Sequence, residues 1–472
     1  MLTPWKKTTL LTLILCVTIN AQAIDSQPSS IDQTDAAKGP DPTTLGVVPN
    51  AKKLGAGIPP FKTSAPIAGN EPSPFKEAIS LKKAMEISVL RNWDLLTAGT
   101  SVDQNKAQLM IAKEFPNPSV SLSTAKITPN ASTSLGSSFL DRSYDTIAAV
   151  NQLIELGGKR KWRQLAAKHG ILNAEALFLD AERQLKDAVT KAYALVLRED
   201  GLVAILLDSE ETLAKESKIA KRRLEVGDIN ASDELQIEIA AERFAADRVV
   251  EESNARNARV TLELLLGVKA PLGTIQLSDK FPELIEQLGK GQYPVKGERP
   301  DLVAAKANVN QMEANVKLAL AGRIPDLTIS GQVEHNPNPP AASNSSGFGI
   351  SLPIPLWNHN QGAIALARAQ KAAAEIALNK VCALVISDAT QARDTFRATH
   401  IKWINYRETV GPKSKAALGA VRYSYEKGNI PLVTLLDAMR NDNDVRTGTS
   451  QAANDCTAAA ADLEATQPYL KN

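Results

Sequence analysis

The sequence offers few residues whose types and spacing could bind a metal ion or perform catalysis. The four histidines, His169, His335, His359 and His400, are scattered, and none stands at the i, i+4 spacing from another ligand that a helical metal site needs. The segment GGKR at 157–160 lacks the spacing of a phosphate-binding loop, and its glycines are better suited to turning a strand into a helix. No Ser/His/Asp set and no pair of catalytic carboxylates stands out. The sequence therefore predicts no enzyme, no metal site and no cofactor.

Composition and charge narrow the possible classes of function. The chain has 472 residues, with 54 basic and 52 acidic side chains and a net charge of +2. This balance gives no polycationic surface, so nucleic acid is not expected as a partner. Aromatic residues make up only 4% of the chain, which is more usual in helical bundles than in compact globular cores.

The first residues have the features of an export signal. Lys6 and Lys7 precede the apolar run TLLTLILCVTI, and an Ala-Gln-Ala sequence ending at Ala23 supplies a cleavage site. We predict a signal peptide over residues 1–23, because the apolar run is shorter than the roughly 20 residues that span a bilayer. Residues 24–74 hold nine of the 26 prolines and are predicted to form an extended or disordered segment.

The sequence contains an internal repeat. Residues 94–122 align with residues 301–329 at an offset of 207 without a gap, and eight of the 29 positions are identical. Each copy has a helical pattern, then a proline that must end the helix, Pro118 or Pro325, and then a strand of alternating apolar and polar residues. The chain is therefore predicted to have arisen by duplication.

Two glycines at corresponding positions mark the turns of helical hairpins. Gly227 and Gly428 each interrupt a helical pattern, and Pro431 suits the first turn of the helix that follows. The sequence thus predicts two long helices and four shorter ones, near 158–226 and 361–427, and near 80–115, 229–266, 299–323 and 431–466. A long helix is about as long as two shorter ones laid end to end, which predicts a bundle of long helices flanked by stacked pairs.

The turn at Gly428 allows a test for a disulfide bond between Cys382 and Cys456. Cys382 lies 46 residues before Gly428 and Cys456 lies 28 residues after it. In two antiparallel helices joined at Gly428, the difference between these two residue counts separates the cysteines by roughly 27 Å along the helices. A disulfide needs α-carbons within about 7 Å, so we predict that these cysteines do not form one.

Each half of the chain also contains two predicted strands of about ten residues, the length that a tilted strand needs to cross a bilayer. In the stretch 325–337, Leu327, Ile329 and Val333 alternate with polar residues, and GFGISLPIPL at 347–356 repeats the alternation. The segments between paired strands, TPNASTSLGSS and NPNPPAASNSSG, are polar and are predicted to be exposed loops. One apolar face per strand is typical of a transmembrane β-barrel.

Four strands cannot close a barrel by themselves. An open sheet in lipid leaves unpaired backbone groups, each costing several kcal/mol, so spanning sheets must be closed. Three copies would supply twelve strands, and two would supply eight with little lumen. The sequence therefore predicts an oligomer whose apolar face contacts lipid and whose polar face lines a pore. The alternative from the residues alone is a soluble helical protein, such as a coiled-coil rod, on which two β-hairpins pack.

In this order and in two copies, the motifs resemble the TolC family of outer-membrane efflux channels. The resemblance begins near residue 75 and rests on SLKKAMEISVLRNWDL, PNPSVSLS, QLIELGGKR, RPDLVAA, PDLTISG, ISLPIPLWNHNQG and YEKGNIPLVTLLDAMR. The forms ELGGKR and PIPLWNHNQG are most similar to the heavy-metal branch, the cobalt–zinc–cadmium type.

The resemblance implies a mainly α protein with a transmembrane β-barrel. It implies a homotrimer with four strands per chain, a 12-stranded barrel and a long periplasmic coiled-coil helical tunnel. The implied partners are outer-membrane lipid, a periplasmic adaptor (a membrane fusion protein) and an inner-membrane pump of the RND type.

The resemblance also assigns residues to two functional regions. Four residues would lie at tips that dock onto the adaptor: Leu224, Gly227, Tyr425 and Gly428. Three would lie at the entrance of the tunnel: Arg422, Asp437 and Arg440. For the two glycines the simpler interpretation, plain turn residues, is compatible with docking, whereas charged residues on a helix are often just a solvated face.

The predicted organisation has six parts: a signal peptide (1–23), a Pro-rich segment (24–74), a first repeat (75–266), a linker (267–298), a second repeat (299–466) and a C-terminal tail (467–472). The predicted function is that of an outer-membrane channel of a tripartite efflux system for heavy-metal cations, in a Gram-negative bacterium. A soluble periplasmic coiled-coil scaffold, or a channel of the same kind for drugs or secreted proteins, is the alternative.

Overall fold

The computed structural model describes residue 75 and residues 77–126, 144–227, 229–289, 298–336 and 343–467. The predicted signal peptide and the Pro-rich segment 24–74 lie outside the described residues, as do most of the two loops between paired strands and all but the first residue of the C-terminal tail.

The described residues form mainly helices, with four strands. In chain order they are α1 (Leu81–Arg91), α2 (Trp93–Lys113), β1 (Ser119–Ala125), β2 (Asp145–Ile154), α3 (Lys159–Glu225), α4 (Ala231–Leu265), α5 (Phe281–Gly289), α6 (Pro300–Ala321), β3 (Leu327–Asn336), β4 (Ser343–Ser351), α7 (Gln361–Asn405), a π-helical turn (Tyr406–Val410), α8 (Gly411–Glu426) and α9 (Leu432–Ala465). Across the described ranges, no helix combines the length and the hydropathy that a membrane-spanning helix needs.

Two helical predictions differ from the structure. The predicted helix 80–115 is two helices, because Asn92 is extended and its side chain caps α2 by accepting the N–H of Leu95 at 3.0 Å. The predicted helix 361–427 is interrupted by the π-helical turn at 406–410. The predicted linker 267–298 contains a helix, α5.

The main core surrounds the middle of α3. Tyr193 is fully buried there, and its hydroxyl donates a hydrogen bond to the carbonyl of Ile79 at 2.8 Å and accepts the N–H of Asp279 at 3.3 Å. Ile79 also pairs with Leu277 in a short parallel bridge. The segment before α1 and the linker after α4 are thereby attached to the same face of α3.

A buried carboxylate shapes the start of that linker. Glu263, near the end of α4, is 0% exposed, and its two oxygens accept four backbone N–H groups. Oε2 accepts from Leu272 at 2.7 Å and Gly273 at 2.8 Å, and Oε1 accepts from Thr274 at 2.8 Å and Ile275 at 3.0 Å. The four N–H groups satisfy the hydrogen-bonding capacity of the carboxylate. The carboxylate in turn accepts from the backbone N–H groups of a turn that is not part of a β-sheet.

The four strands form one antiparallel sheet in the order β1-β2-β3-β4. The register gives the sheet two different faces, as the alternation predicts. One face is largely apolar and carries Val120, Leu122, Ala148, Val150, Leu327, Ile329, Val333, Phe348 and Ile350. The other is largely polar and carries Ser119, Ser121, Ser123, Asn151, Thr328, Ser330, Gln332, Glu334, Ser345 and Ser351.

The strand ends differ from the prediction. The alternating run 347–356 was expected to be strand throughout, yet β4 ends at Ser351, because Pro353 and Pro355 have no N–H for a ladder. β4 instead begins at Ser343, inside the predicted polar loop, and β2 covers 145–154.

Candidate functional site

The first predicted docking turn joins α3 to α4. The N–H of Gly227 donates to the carbonyl of Leu224 at 3.0 Å, and Gly227 has a φ of +77°. A side chain is disfavoured at such a φ, which explains a glycine at this turn. Asn230 then caps α4 by accepting the N–H of Asp233 at 2.9 Å.

The second predicted docking turn joins α8 to α9 and has the same form. The N–H of Gly428 donates to the carbonyl of Tyr425 at 2.9 Å, and the N–H of Asn429 donates to Ser424 at 3.0 Å. Gly428 has a φ of +75°, and Pro431 stands directly before α9. Both predicted helical turns are therefore confirmed as turns.

A small apolar cluster holds the two turns beside each other. It joins four helices, with Leu213 and Ala220 from α3, Ile237 and Ala240 from α4, partly buried Leu418, Val421 and Tyr425 from α8, and Leu432, Leu435, Leu436 and Met439 from α9. The four α9 residues lie at the i, i+3, i+4, i+7 spacing of one helix face. Both turns are exposed. We call these two turns, together with the apolar cluster that supports them, the tip.

The structure gives the predicted docking residues two positions within this tip. Gly227 and Gly428 lie at its exposed surface, and a Cβ built on either glycine has no atom within 4 Å. Leu224 and Tyr425 lie one turn back and are half-buried, with the guanidinium of Arg223 5.8 Å from the Tyr425 ring centroid. Their role in docking stays a prediction.

The three predicted entrance residues do not form one group. Arg422 on α8 pairs with Glu216 on α3, Nη2 to Oε1 at 2.7 Å, and the Glu216 side chain is only 9% exposed. Asp437 and Arg440 pair with each other on the exposed face of α9 at 3.6 Å, an arrangement that contributes little to stability. Sequence reasoning missed Glu216 because its partner is 206 residues away.

A cavity of about 820 Å³ lies next to the Arg422–Glu216 pair, between α3, α8 and α9. Trp403 and Arg407 also form part of its wall, with the Arg407 guanidinium 4.4 Å from the Trp403 ring centroid. No local pattern in the sequence marks this cavity, because its wall comes from elements far apart in the chain.

The two cysteines in the described part of the chain are not joined by a disulfide bond. Cys382 is exposed on α7, Cys456 is buried in α9, and both are free thiols. Burial raises the pKa of the Cys456 thiol to about 12, so this sulfur stays protonated at neutral pH. Within the part of the chain that the structure describes, no three His, Cys, Asp or Glu residues are arranged to hold a metal ion.

Comparison with known proteins relates this architecture to one family and to named relatives. The family described as outer membrane efflux protein matches residues 86–268 and 294–466. Over 371 residues the chain is 24% identical to the cobalt-zinc-cadmium resistance protein CzcC of Cupriavidus metallidurans, an alignment that covers 77% of this chain and 83% of that protein.

Solved structures share the fold. A membrane protein from Pseudomonas aeruginosa matches with a TM-score of 0.69 at 18% identity, covering 85% of this chain and 99% of that one. The CmeC outer membrane channel of Campylobacter jejuni matches with a TM-score of 0.66 at 18% identity, covering 84% of this chain and 90% of that one. Because the family match spans well over half of the sequence, the chain belongs to the outer membrane efflux protein family.

Proposed function

We propose that this chain is the outer-membrane channel of a tripartite efflux system, passing heavy-metal cations from an inner-membrane pump and a periplasmic adaptor to the exterior. Family membership supports the channel. The observation that carries the proposal is the sheet, which has one largely apolar face and one largely polar face. A protein that spans a bilayer with β-strands needs one face for lipid and one for water, and this sheet has both.

The sheet also supports the proposed trimer. Among the described residues, β1 and β4 are the outer strands of a four-stranded sheet, and each pairs with another strand on one side only. In lipid these edges must be paired, which a second copy can do by bringing its β1 beside β4. Three copies would form a 12-stranded barrel around a lumen lined by the serine-rich face. The duplication of the chain, with halves over 75–266 and 299–466, remains part of this proposal.

Heavy-metal cations are the proposed substrate because the relative in Cupriavidus metallidurans is named for cobalt, zinc and cadmium resistance. The described residues offer no set of metal ligands, which is compatible with a channel that passes ions without holding them. Selection of the ion is then a task for the pump. We also propose that residues 1–23 direct export and are removed.

Deletion of the gene tests the proposed substrate. The deletion strain should lose tolerance to zinc, cobalt or cadmium, and the wild-type gene should restore it. Unchanged metal tolerance together with new sensitivity to drugs would assign the channel to drugs instead. Recovery of the protein in the soluble periplasmic fraction would contradict the channel itself and favour a scaffold.

The exposed tip is the proposed docking surface for the adaptor, and Gly428 is the residue to test. Replacing Gly428 with valine should weaken cross-linking to the adaptor while trimers remain intact. The φ of +75° disfavours a β-branched residue by about 1–2 kcal/mol, whereas the open space around the position allows the side chain. The turn should therefore change shape without disturbing the core.

Gly419 provides the matched control for this experiment. It is also exposed and also has no atom within 4 Å of an added Cβ, but it lies inside α8 without a positive φ. Gly419→Val should cross-link like the wild type. Normal cross-linking of Gly428→Val would remove the tip from the docking surface.

Arg422 is the best supported of the proposed entrance residues. Its bond to the nearly buried Glu216 joins α8 to α3 just above the tip, so the pair can hold α8 in its present position. Asp437 and Arg440 remain proposed as charges that substrate meets on α9, since both are exposed.

A further inference from the structure

The cavity of about 820 Å³ has a floor and two walls formed by different helices. α9 packs against both α3 and α8 and forms the floor. Residues of α3 line one wall, and the other runs from the end of α7 through the π-helical turn to α8. Phe281 of α5 lies at one end, near Ala453, and the Arg422–Glu216 pair joins α8 to α3 at the other. The cavity has a volume that a small organic molecule can fill.

Asp442 places a buried carboxylate in the floor of this cavity. It is only 6% exposed, and its Oδ1 accepts a hydrogen bond from the hydroxyl of Ser414 on α8 at 2.9 Å. Within the described part of the chain, the carboxylate makes this hydrogen bond and no ion pair. Burial of a charge is costly unless an opposite charge compensates for it. Asp442 therefore offers a negative charge to a positively charged ligand.

The basic side chains around the cavity do not neutralise Asp442. Three of those that the structure describes there are paired with other carboxylates: Arg446 with Asp208, Arg422 with Glu216, and Arg407 with Glu408. A fourth, Lys415, is exposed, and water and salt screen its charge. The buried charge that lacks a counter-ion is negative, so the cavity favours a cation.

The next residue, Asn443, also lines the cavity and has a hydrogen bond left to make. Its Oδ1 lies 2.9 Å from the hydroxyl of Ser209 on α3, and its Nδ2 is buried without a partner among the described residues. Buried polar groups are nearly always hydrogen-bonded, so an exception needs an explanation. A ligand with an oxygen atom near its charge would supply the acceptor that Nδ2 lacks.

Aromatic rings line the cavity nearer to α5. Tyr406 belongs to the π-helical turn, and its ring packs so closely on Gly448 of α9 that an added Cβ would lie 2.7 Å from Cε1. Gly448 follows Asp442 by six residues, which is roughly 9 Å along the helix. Trp403 and Phe281 lie in the same part of the cavity. A ligand can therefore contact these rings while its charge meets Asp442.

We propose that this cavity binds an elongated organic cation, with an ammonium group at Asp442 and an aromatic or other apolar body against Tyr406 and Trp403. The ammonium N–H groups donate to the Asp442 carboxylate, and the rings provide an apolar surface and cation–π attraction. The charge and the apolar body of such a ligand lie roughly 9 Å apart. The inference does not depend on the proposed function, because it uses the helices and no property of the sheet.

Dansylcadaverine is the probe for this site, because a flexible chain separates its ammonium group from an aromatic ring. Its N-acetylated form has the same body without the charge. The full-length protein is transferred from detergent to a nonionic amphipol, so that no free detergent competes, and binding is measured by the fluorescence anisotropy of the dansyl group. The wild type should bind the charged probe at least about tenfold more tightly, since a hydrogen bond to a charged group contributes that much to affinity.

Three variants locate the bound probe. Asp442→Asn removes the charge at constant size and should bind both probes equally weakly. Asp444→Asn is the matched control, because Asp444 is an exposed carboxylate on the same helix, and this variant should keep the preference of the wild type. Thr212→Phe enlarges a side chain on the α3 wall without changing a charge, and it should weaken binding of the charged probe.

The outcomes that would overturn the proposal are distinct. Equal binding of the two probes to the wild type would show that Asp442 recognises no charge, as would a preference that persists in Asp442→Asn. Absence of saturable binding would mean that a neighbouring copy or another partner covers the cavity. Should Asp442→Asn fail to fold, unchanged binding in Thr212→Phe would overturn the site. The channel itself is tested separately, by gene deletion and membrane fractionation.

Discussion

Replacing Val150 with arginine should abolish assembly of the channel in membranes, whereas the same replacement at the next residue, Asn151, should permit assembly and change conduction. The two positions are neighbours on β2 but belong to opposite faces of the sheet. Val150 is paired with Val120 and Gly331, and Asn151 with Ser119 and Ser330.

The expected effect at Val150 follows from the proposed contact with lipid. An arginine on the lipid face near the bilayer midplane costs about 2–4 kcal/mol per chain, and each copy in an oligomer adds its own cost. At Asn151 the guanidinium enters a polar, water-filled lumen, where it finds solvent but adds a positive charge. That charge should lower the conductance for cations.

Folding and conduction can be measured on the same samples. Val150→Arg should give little oligomer in membrane extracts, while Asn151→Arg should give oligomers as abundant as the wild type and a reduced cation current in planar bilayers. Normal assembly of Val150→Arg, or loss of assembly only in Asn151→Arg, would show that the faces are assigned the wrong way round or that the sheet does not meet lipid.

Replacing Glu263 with glutamine should loosen the linker after α4. The glutamine amide can accept N–H groups only through its oxygen, so two of the four present bonds are lost and two N–H donors face an NH₂ group. Hydrogen bonds to a charged group contribute about 1.5–3 kcal/mol each, so the loss is about 3 kcal/mol or more.

Hydrogen exchange measures this loss where it occurs. The amides of residues 272–275 should exchange at least about a hundredfold faster in Glu263→Gln, because about 1.4 kcal/mol corresponds to a factor of ten. Glu242→Gln, an exposed position on the same helix, is the control and should not change these amides. Unchanged exchange in Glu263→Gln would mean that packing, rather than the carboxylate, holds the linker.

The features that the sequence predicts well are those encoded within a few residues. The alternation around Leu327 and Ile329 gives the face of each residue once any antiparallel partner is present, because side chains on a strand point to opposite sides. The turns at Gly227 and Gly428 are equally local, since a positive φ strongly favours glycine.

The features that the sequence does not predict depend on distant partners or on backbone donors. Asparagine is tolerated within a helix, so the sequence does not indicate a break at Asn92. In the structure the helix does end there, and the Asn92 side-chain amide donates to the carbonyl of Leu265 at 3.1 Å. In LPIPL the apolar residues continue to alternate after β4 has ended. Alternation alone does not show which residues have an N–H to donate to a neighbouring strand, and the two prolines have none. The link between Arg422 and Glu216 joins helices from different halves of the chain.

The pairing of β2 with β3 has a consequence for the order in which the sheet forms. Each hairpin can close locally, but Ile154 meets Leu327 only after the intervening stretch of chain has been made and folded. Such non-local pairing is slow, because the entropy of closing a long loop is lost before any contact compensates for it. Until then β2 presents an open edge that could capture a foreign strand. A truncated chain that ends before β3 should therefore be prone to aggregation. Once the second half of the chain has been synthesised, β3 pairs with β2 and covers the exposed edge of that strand.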